Sequence, residues 1–273
     1  MSREDAVQRK SQPNDTVLCS GTLGNLSFAD KIEAAAAAGF AGISVYYRES
    51  NDPGKVRRAV ADAGLFFAEL DGPVTWLPNW DGPTAPSAAE VVDRAAALGA
   101  RSFTVLEITG ATPPLDIAVE AFGAVCDLAA QAGVLVHIEP FPWSGISDFG
   151  FAADIVAGAD RSNGGILLDT WHLFRGPSRG ALPSRVKPEM VLGLQINDLR
   201  ATPDNNVPYE AMHDRLLPGS GAAAAEIRTL LDDLRAGGCS APLGVEVFSD
   251  EFAALPPLEV AQRAFEALQY VAP

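Results

Sequence analysis

Several things are scarce in this chain of 273 residues. Cysteine occurs three times, at Cys19, Cys126 and Cys239, far apart and in no CxxC pair. That excludes a disulfide framework and a thiolate zinc site, and it suits buried, reduced thiols in a cytoplasmic protein. Histidine also occurs only three times, at His137, His172 and His213. Positive charge is short: Lys+Arg number 20 against 35 Asp+Glu, a formal charge of −15. Such a balance repels phosphate backbones and anionic bilayers, so no nucleic-acid or membrane partner is expected. No apolar run reaches the roughly 18 residues that span a bilayer. Met1 to Asp15 is polar and charged, with no apolar h-region, and reads as a disordered leader rather than a signal peptide. No glycine-rich phosphate cradle follows the first apolar run, because Gly21-Thr22-Leu23-Gly24 lacks that fingerprint.

What the chain does have is 48% hydrophobic residues, arranged in a repeating order. From about residue 17, short apolar runs alternate with alanine-rich amphipathic segments. The expected strands are Val17–Ser20, Gly42–Tyr46, Leu65–Leu70 and Ser102–Leu106, followed by runs starting at Leu135, Ile166, Leu192 and Leu243. Helices are expected from the capping signals Ser27-Phe28-Ala29-Asp30 and Ser87-Ala88-Ala89-Glu90, with stops at Gly39 and Gly99. Others are expected over Lys55–Ala63, Leu115–Ala132, Phe151–Ala157, Pro183–Glu189, Ala222–Ala236 and Pro257–Tyr270. Strands that are apolar throughout are buried on both faces, hence parallel. Eight such strand–helix units close a (β/α)8 TIM barrel, a single domain over residues 16–273. Trp76–Pro86, Phe174–Ser184 and Arg200–Leu217 would then be loops on the C-terminal face, where active sites of this architecture lie.

Four of the runs share one form. Leu135-Val136-His137-Ile138 leads into Glu139, Ile166-Leu167-Leu168 into Asp169, Leu192-Gly193-Leu194 into Gln195, and Leu243-Gly244-Val245 into Glu246. The steps are 30 residues (139 to 169), 26 (169 to 195) and 51 (195 to 246), so each lies on its own strand–helix unit. Several strands that aim oxygen atoms at one point are the way a hard divalent cation is held. A carboxylate such as Glu139 beside apolar strand residues is costly to bury alone and needs a cation or an arginine. His172, three residues past Asp169, is placed to bind a metal or orient a substrate. Asn197 shares the strand face of Gln195. Arg215 is suited to clamping a carboxylate, phosphate or sugar hydroxyl, or to a loop salt bridge. Glu246 is expected across the barrel from the strand that carries Glu139.

Five motifs in order, His137-Ile138-Glu139, Leu168-Asp169-Thr170-Trp171-His172, Gln195-Ile196-Asn197-Asp198, Arg215-Leu216-Leu217-Pro218-Gly219 and Gly244-Val245-Glu246, resemble the xylose-isomerase-like TIM barrels. These are the sugar phosphate isomerases and epimerases, with endonuclease IV, inosose dehydratase, ketose 3-epimerases and 3-dehydroshikimate dehydratase among them. The resemblance implies one divalent cation, Mn²⁺ or Mg²⁺ with Co²⁺ as a further option, held by Glu139, Asp169, Gln195 and Glu246. Many members carry histidine where Gln195 stands. The glutamine is similar to the dehydroshikimate dehydratase branch, and its neutral amide oxygen favours Mg²⁺ or Mn²⁺ over Zn²⁺.

The implied chemistry is removal of a proton beside a carbonyl and stabilisation of the resulting enediolate. Glu139 and Glu246 would serve as base and acid. His172, Arg215 and Asn197 would orient the oxygens of a polyhydroxylated carbonyl substrate, and Trp76, Trp80 and Trp143 would cover its apolar face. Isomerisation or epimerisation is the first expectation. A dehydratase or other lyase with the same opening step is the second, and a metal-free binding protein or pseudoenzyme is the third. A nuclease would need a histidine-rich zinc site and a basic face, and the chain has neither. A homo-oligomer is in keeping with the family.

Overall fold

β-Branched and aromatic runs with no polar side to offer water build the centre of the molecule. In the computed structural model, which describes residues 11–24, 26–78 and 82–272, these runs form eight parallel strands. They are β1 (Thr16–Leu18), β2 (Gly42–Tyr46), β3 (Phe66–Asp71), β4 (Ser102–Val105), β5 (Leu135–Ile138), β6 (Gly164–Asp169), β7 (Val191–Ile196) and β8 (Leu243–Val245). Each pairs with the next in chain order, and β8 closes on β1 through Val17↔Gly244 and Leu18↔Val245. Residues such as Ile43, Val45, Phe103, Val136, Ile166 and Val245 are wholly inaccessible, as strands sandwiched between a barrel interior and a helical layer must be. This is a single-domain (β/α)8 barrel.

The helices are α1 (Phe28–Ala38), α2 (Pro53–Asp62), α3 (Ala88–Leu98), α4 (Leu115–Ala130), α5 (Phe149–Ala159), α6 (Thr170–Arg175), α7 (Val207–His213), α8 (Ala224–Ala236), α9 (Asp250–Ala253) and α10 (Pro257–Val271). Their starts follow the capping chemistry. Ser27 Oγ accepts from the Asp30 N–H, and Ser87 and Glu90 satisfy each other's backbone groups reciprocally. Gly39 and Gly99 end α1 and α3 in the left-handed region, at φ 94° and 71°. The apolar stripes of the helices pack on the outer faces of the strands and make one core. No helix among the described residues is long and apolar enough to cross a membrane.

Three features differ from expectation. The helix expected over Pro183–Glu189 is a single 3₁₀ turn, Pro188–Met190. Pro188 removes an amide donor and pushes Lys187 into extended backbone, φ −86° and ψ 143°. The loops after β6, β7 and β8 instead hold the short helices α6, α7 and α9; Asp169 caps α6, and Asn206 caps α7 by accepting from the Tyr209 N–H. Finally, the closed order puts β8 beside β1 and three strands round from β5, so Glu246 is not directly across from Glu139. Of the expected leader, residues 1–10 lie outside the described residues, as does Trp80; Asp15 O accepts from the Leu243 N–H at 2.8 Å, at the foot of β8.

All three cysteines are free and buried. Burial pushes the Cys126 thiol up to about 12 and also raises Cys19 and Cys239, which leaves almost no thiolate at neutral pH. The folded protein is therefore expected to be inert to Ellman's reagent at pH 8 over minutes and to release three equivalents in denaturant; a fast equivalent from the native protein would contradict this packing.

Candidate functional site

The C-terminal ends of β5 to β8 share one rim. The ladder sets Asp169 beside Gln195 and Ile196 beside Val245. Alternation along β7 then turns Gln195 and Asn197 to the same inner face. Ligand-type atoms of Glu139, Asp169 and His172 lie within 4.8 Å of one another. His172 Nε2 is 3.4 Å from Glu139 Oε1, and the His172 N–H donates to Asp169 Oδ1 at 3.1 Å.

Glu246 is tied to this group by two neighbours. Arg215 Nη1 donates to Asp169 Oδ2 at 2.6 Å and lies 3.5 Å from Glu246 Oε2. Asn197 Nδ2 lies 3.2 Å from both Asp169 carboxylate oxygens and 3.1 Å from the Glu246 carbonyl oxygen, while Asn197 Oδ1 accepts from Thr170 Oγ1. Both ends of the Asn197 amide are thus engaged, and it works as a brace. Arg215 is held as firmly. Its Nε donates to Ala211 O at 2.7 Å, and the guanidinium packs over the rings of Trp171 and Phe248. Gln195 differs from both. Its Nε2 donates to Glu69 Oε1 at 3.0 Å, and its Oε1, though buried, has no hydrogen-bond partner among the described residues.

Glu69 and Asp71 join the site without having been anticipated from the sequence. Both are buried on β3, where Glu69-Leu70-Asp71 repeats the apolar-run-then-oxygen form with two-residue spacing. Glu69 Oε2 is 3.2 Å from His137 Nε2, and Asp71 Oδ1 accepts from Thr104 Oγ1 at 3.0 Å. Burial holds the His137 imidazole down at about 3, with the Arg101 charge adding to the effect. His137 is therefore neutral and belongs to the barrel interior.

The mouth consequently concentrates negative charge in a place that disfavours it. Burial pushes Glu69 up to about 7 and also raises Asp71 and Glu246 well above their ordinary values, with Glu139 adding to all three shifts. Asp169 is the exception. Burial opposes its ionised form, but Arg215, His172 and Asn197 outweigh burial and hold it below its usual value. One guanidinium in contact with Asp169 and Glu246 does not balance this group. The donor set is oxygen-rich, over-negative and includes an unpartnered amide oxygen, which fits a hard divalent cation.

The rim adds an aromatic wall. Phe141 and Trp143 sit edge to face at 5.1 Å, each 5.9 Å from the His172 ring, and Trp143 is 39% exposed. Glu107, another residue missed in the sequence, fixes this wall. Its buried carboxylate accepts from the N–H groups of Thr109, Gly110 and Gly145, clasping the loop after β4 to the loop that carries Trp143. Trp76 is not brought to the cluster. It is buried in the core, its indole donates to Leu106 O at 2.8 Å, and its ring meets Phe122 edge-on. Phe248, packed on Arg215, also lines a cavity of about 630 Å³ with Gly21–Leu23, Tyr46, Arg48, His213, Ser249, Asp250 and Phe252.

The Arg215–Asp169 contact yields a direct test. Arg215→Leu leaves a buried carboxylate without its partner, a change that costs about 3–5 kcal/mol. Urea unfolding in the presence of chelator should show that loss, and a change below about 1 kcal/mol would mean that the contact does not hold the mouth together.

Many solved structures share this fold. A 3-dehydroshikimate dehydratase of Pseudomonas aeruginosa is 28% identical over 94% of this chain, and one of Pseudomonas putida is 25% identical over 94%. The chain spans about two fifths (41%) of the length of these curated relatives. Among solved structures, a xylose isomerase-like TIM barrel/4-hydroxyphenylpyruvate dioxygenase fusion protein superposes with a TM-score of 0.81 at 21% identity, over 94% of this chain and 42% of that one. The zinc-bound IOLI protein gives 0.79 at 18% over 94% and 97%, and D-psicose 3-epimerase gives 0.70 at 17% over 94% and 97%. At such identities the structural matches speak for the fold. The family model described as xylose isomerase-like TIM barrel matches residues 32–271, and the chain belongs to that family.

Proposed function

We propose that this barrel is a divalent-metal-dependent lyase that removes water from a β-hydroxy ketone of the 3-dehydroshikimate kind. The observation that carries the metal reading is the buried, unpartnered Oε1 of Gln195 beside Asp169, on the rim where Glu139, Asp169 and His172 converge. Two relatives named 3-dehydroshikimate dehydratase, each aligned over 94% of the chain, favour dehydration over epimerisation. The neutral glutamine in place of a histidine ligand points the same way.

Glu139, Asp169, Gln195 and Glu246 would hold the ion, with Mg²⁺ or Mn²⁺ preferred by an all-oxygen set. Bound there, it would supply Lewis-acid stabilisation of negative charge on the substrate carbonyl oxygen. The protein's own groups handle the protons. Glu139 is the base for the C–H beside the carbonyl, and His172 Nε2, 3.4 Å from Glu139 Oε1, is placed to relay that proton. The proton that Glu139 takes and His172 receives is the one returned to the departing hydroxyl, while Glu246 stays ionised as a ligand. One proton leaves carbon and one hydroxide takes up a proton, so the balance is substrate to unsaturated product plus water. Arg215 and Asn197 brace Asp169 and Glu246 rather than reach for substrate. Trp143 and Phe141 wall the apolar side of the substrate. Arg48, over the Tyr46 ring at 4.9 Å in the neighbouring cavity, is a cation available to a substrate carboxylate.

A second reading, epimerisation of a ketose, uses the same first proton transfer and is favoured by the likeness of fold to D-psicose 3-epimerase. Incubation in D₂O with Mn²⁺, followed by NMR, separates the two. With 3-dehydroshikimate we expect an aromatic product, lost on chelation and reduced about 10²–10⁴-fold in Glu139→Gln. Deuterium entering a ketose without elimination would select the epimerase. No reaction with dehydroshikimate or a ketose panel would overturn both.

A further inference from the structure

A glutamine ligand raises a question that a carboxylate does not. The two ends of its amide have the same shape, but only the oxygen can bind a cation. Something in the protein has to decide which end faces the mouth. Resting on the metal reading above, we propose that Glu69 is the positioning residue that orients the Gln195 amide and so makes Gln195 a ligand.

Glu69 Oε1 accepts from Gln195 Nε2 at 3.0 Å. With Glu69 ionised, the flipped amide would set its oxygen against that carboxylate oxygen, two acceptors facing each other in a buried place, which is strongly unfavourable. The amide is thereby locked with Nε2 toward β3, and Oε1 is the end left without a partner among the described residues. Glu69 is itself fixed from the other side. Its Oε2 lies 3.2 Å from His137 Nε2, which is 3.0 Å from Ser102 Oγ. Burial pushes Glu69 toward protonation, and the Arg101 charge and the Gln195 hydrogen bond oppose that push.

The strand facing Glu69 is also shaped for it. Gly193 precedes Gln195 by two residues on the same face of β7. A Cβ at Gly193 would meet Leu167 Cδ1 at 2.6 Å, and would lie 3.2 Å from His137 Nε2 and 3.4 Å from Glu69 Oε2. The glycine therefore leaves room for Leu167 and His137 beside this carboxylate, which reaches across the barrel from β3 to β7, residues 126 apart at the contact. Metal ligands are commonly held by an outer partner of this kind, and loss of such a partner weakens binding about 10–100-fold.

Substitution with glutamine reverses the logic. In Glu69→Gln the new amide can donate to Gln195 Oε1, which engages the very atom that should face the ion. In Gln195→Glu both ends of residue 195 are oxygens, so no orientation needs setting; there Glu69 opposes a second carboxylate, and Glu69→Gln relieves the clash. The experiment is Mn²⁺ titration by calorimetry on the full chain, for the wild type, E69Q, Q195E and E69Q/Q195E, with circular dichroism to confirm folding. We expect E69Q to weaken Mn²⁺ binding about 10–100-fold in the wild-type background and to leave it unchanged or tighter in the Q195E background. Weakening of similar size in both backgrounds, as from lost charge or general damage, would overturn the proposal, as would E69Q binding within threefold of wild type. Failure of the wild type to bind Mn²⁺ would sink the metal reading itself, a result distinct from either. If E69Q does not fold, Glu69→Asp, which draws the carboxylate back from Gln195 Nε2 while keeping its charge, should weaken Mn²⁺ binding in the Gln195 protein more than in Q195E, and equal weakening would count against the proposal.

Discussion

The organising constraint of this molecule is the crowding of carboxylates into the low-dielectric mouth of a barrel. Glu69, Asp71, Asp169 and Glu246 are all buried there, with Glu139 beside them. Charges so placed repel one another and lose hydration. One arginine, Arg215, lies among them and secures Asp169 in its ionised form. Glu69, Asp71 and Glu246 are pushed toward protonation, which marks a place where additional positive charge is stabilising. The fold supplies this crowding by construction, since parallel strands closed in chain order bring every C-terminal strand end to one rim.

Around that centre the protein spends its polar side chains on orientation. Asn197 ties Asp169 to the backbone of β8, Arg215 reaches from the loop after α7, and Glu107 joins two loops into an aromatic wall. Each brace bonds groups distant in sequence, so the geometry of the mouth depends on closure of the whole barrel rather than on any one loop. Catalytic groups need that kind of support, because small displacements at a reacting centre are expensive.

Much of this was legible in the chain. The eight strands follow from their two-sided apolar character, and Glu139, Asp169, Gln195 and Glu246 stand out because each follows an uninterrupted apolar run. Glu69 was readable on the same principle, yet it lies inside its run, where a rule that inspects only the end passes over it. Arg215 illustrates a different limit. Its sequence context suggests a substrate clamp or a loop salt bridge, and its partner Asp169 lies 46 residues away, so only the folded chain decides. Trp76 looked like a site aromatic because it lies in a C-terminal-face loop, but the indole finds its acceptor at Leu106 O and its ring goes inward. The short helices α6, α7 and α9 escape periodicity because they are seven residues or fewer, and α6 and α7 are set by a capping side chain more than by an apolar stripe.

The central claim is that these oxygens surround a single cation. Crystals grown with Mn²⁺ and measured at a wavelength where manganese scatters anomalously would test it most directly. The account predicts one strong anomalous peak at the barrel mouth, within coordination distance of Glu139, Asp169, Gln195 Oε1 and Glu246. A map with no peak there, or a peak bound elsewhere while Gln195 turns its nitrogen to the mouth, would contradict it.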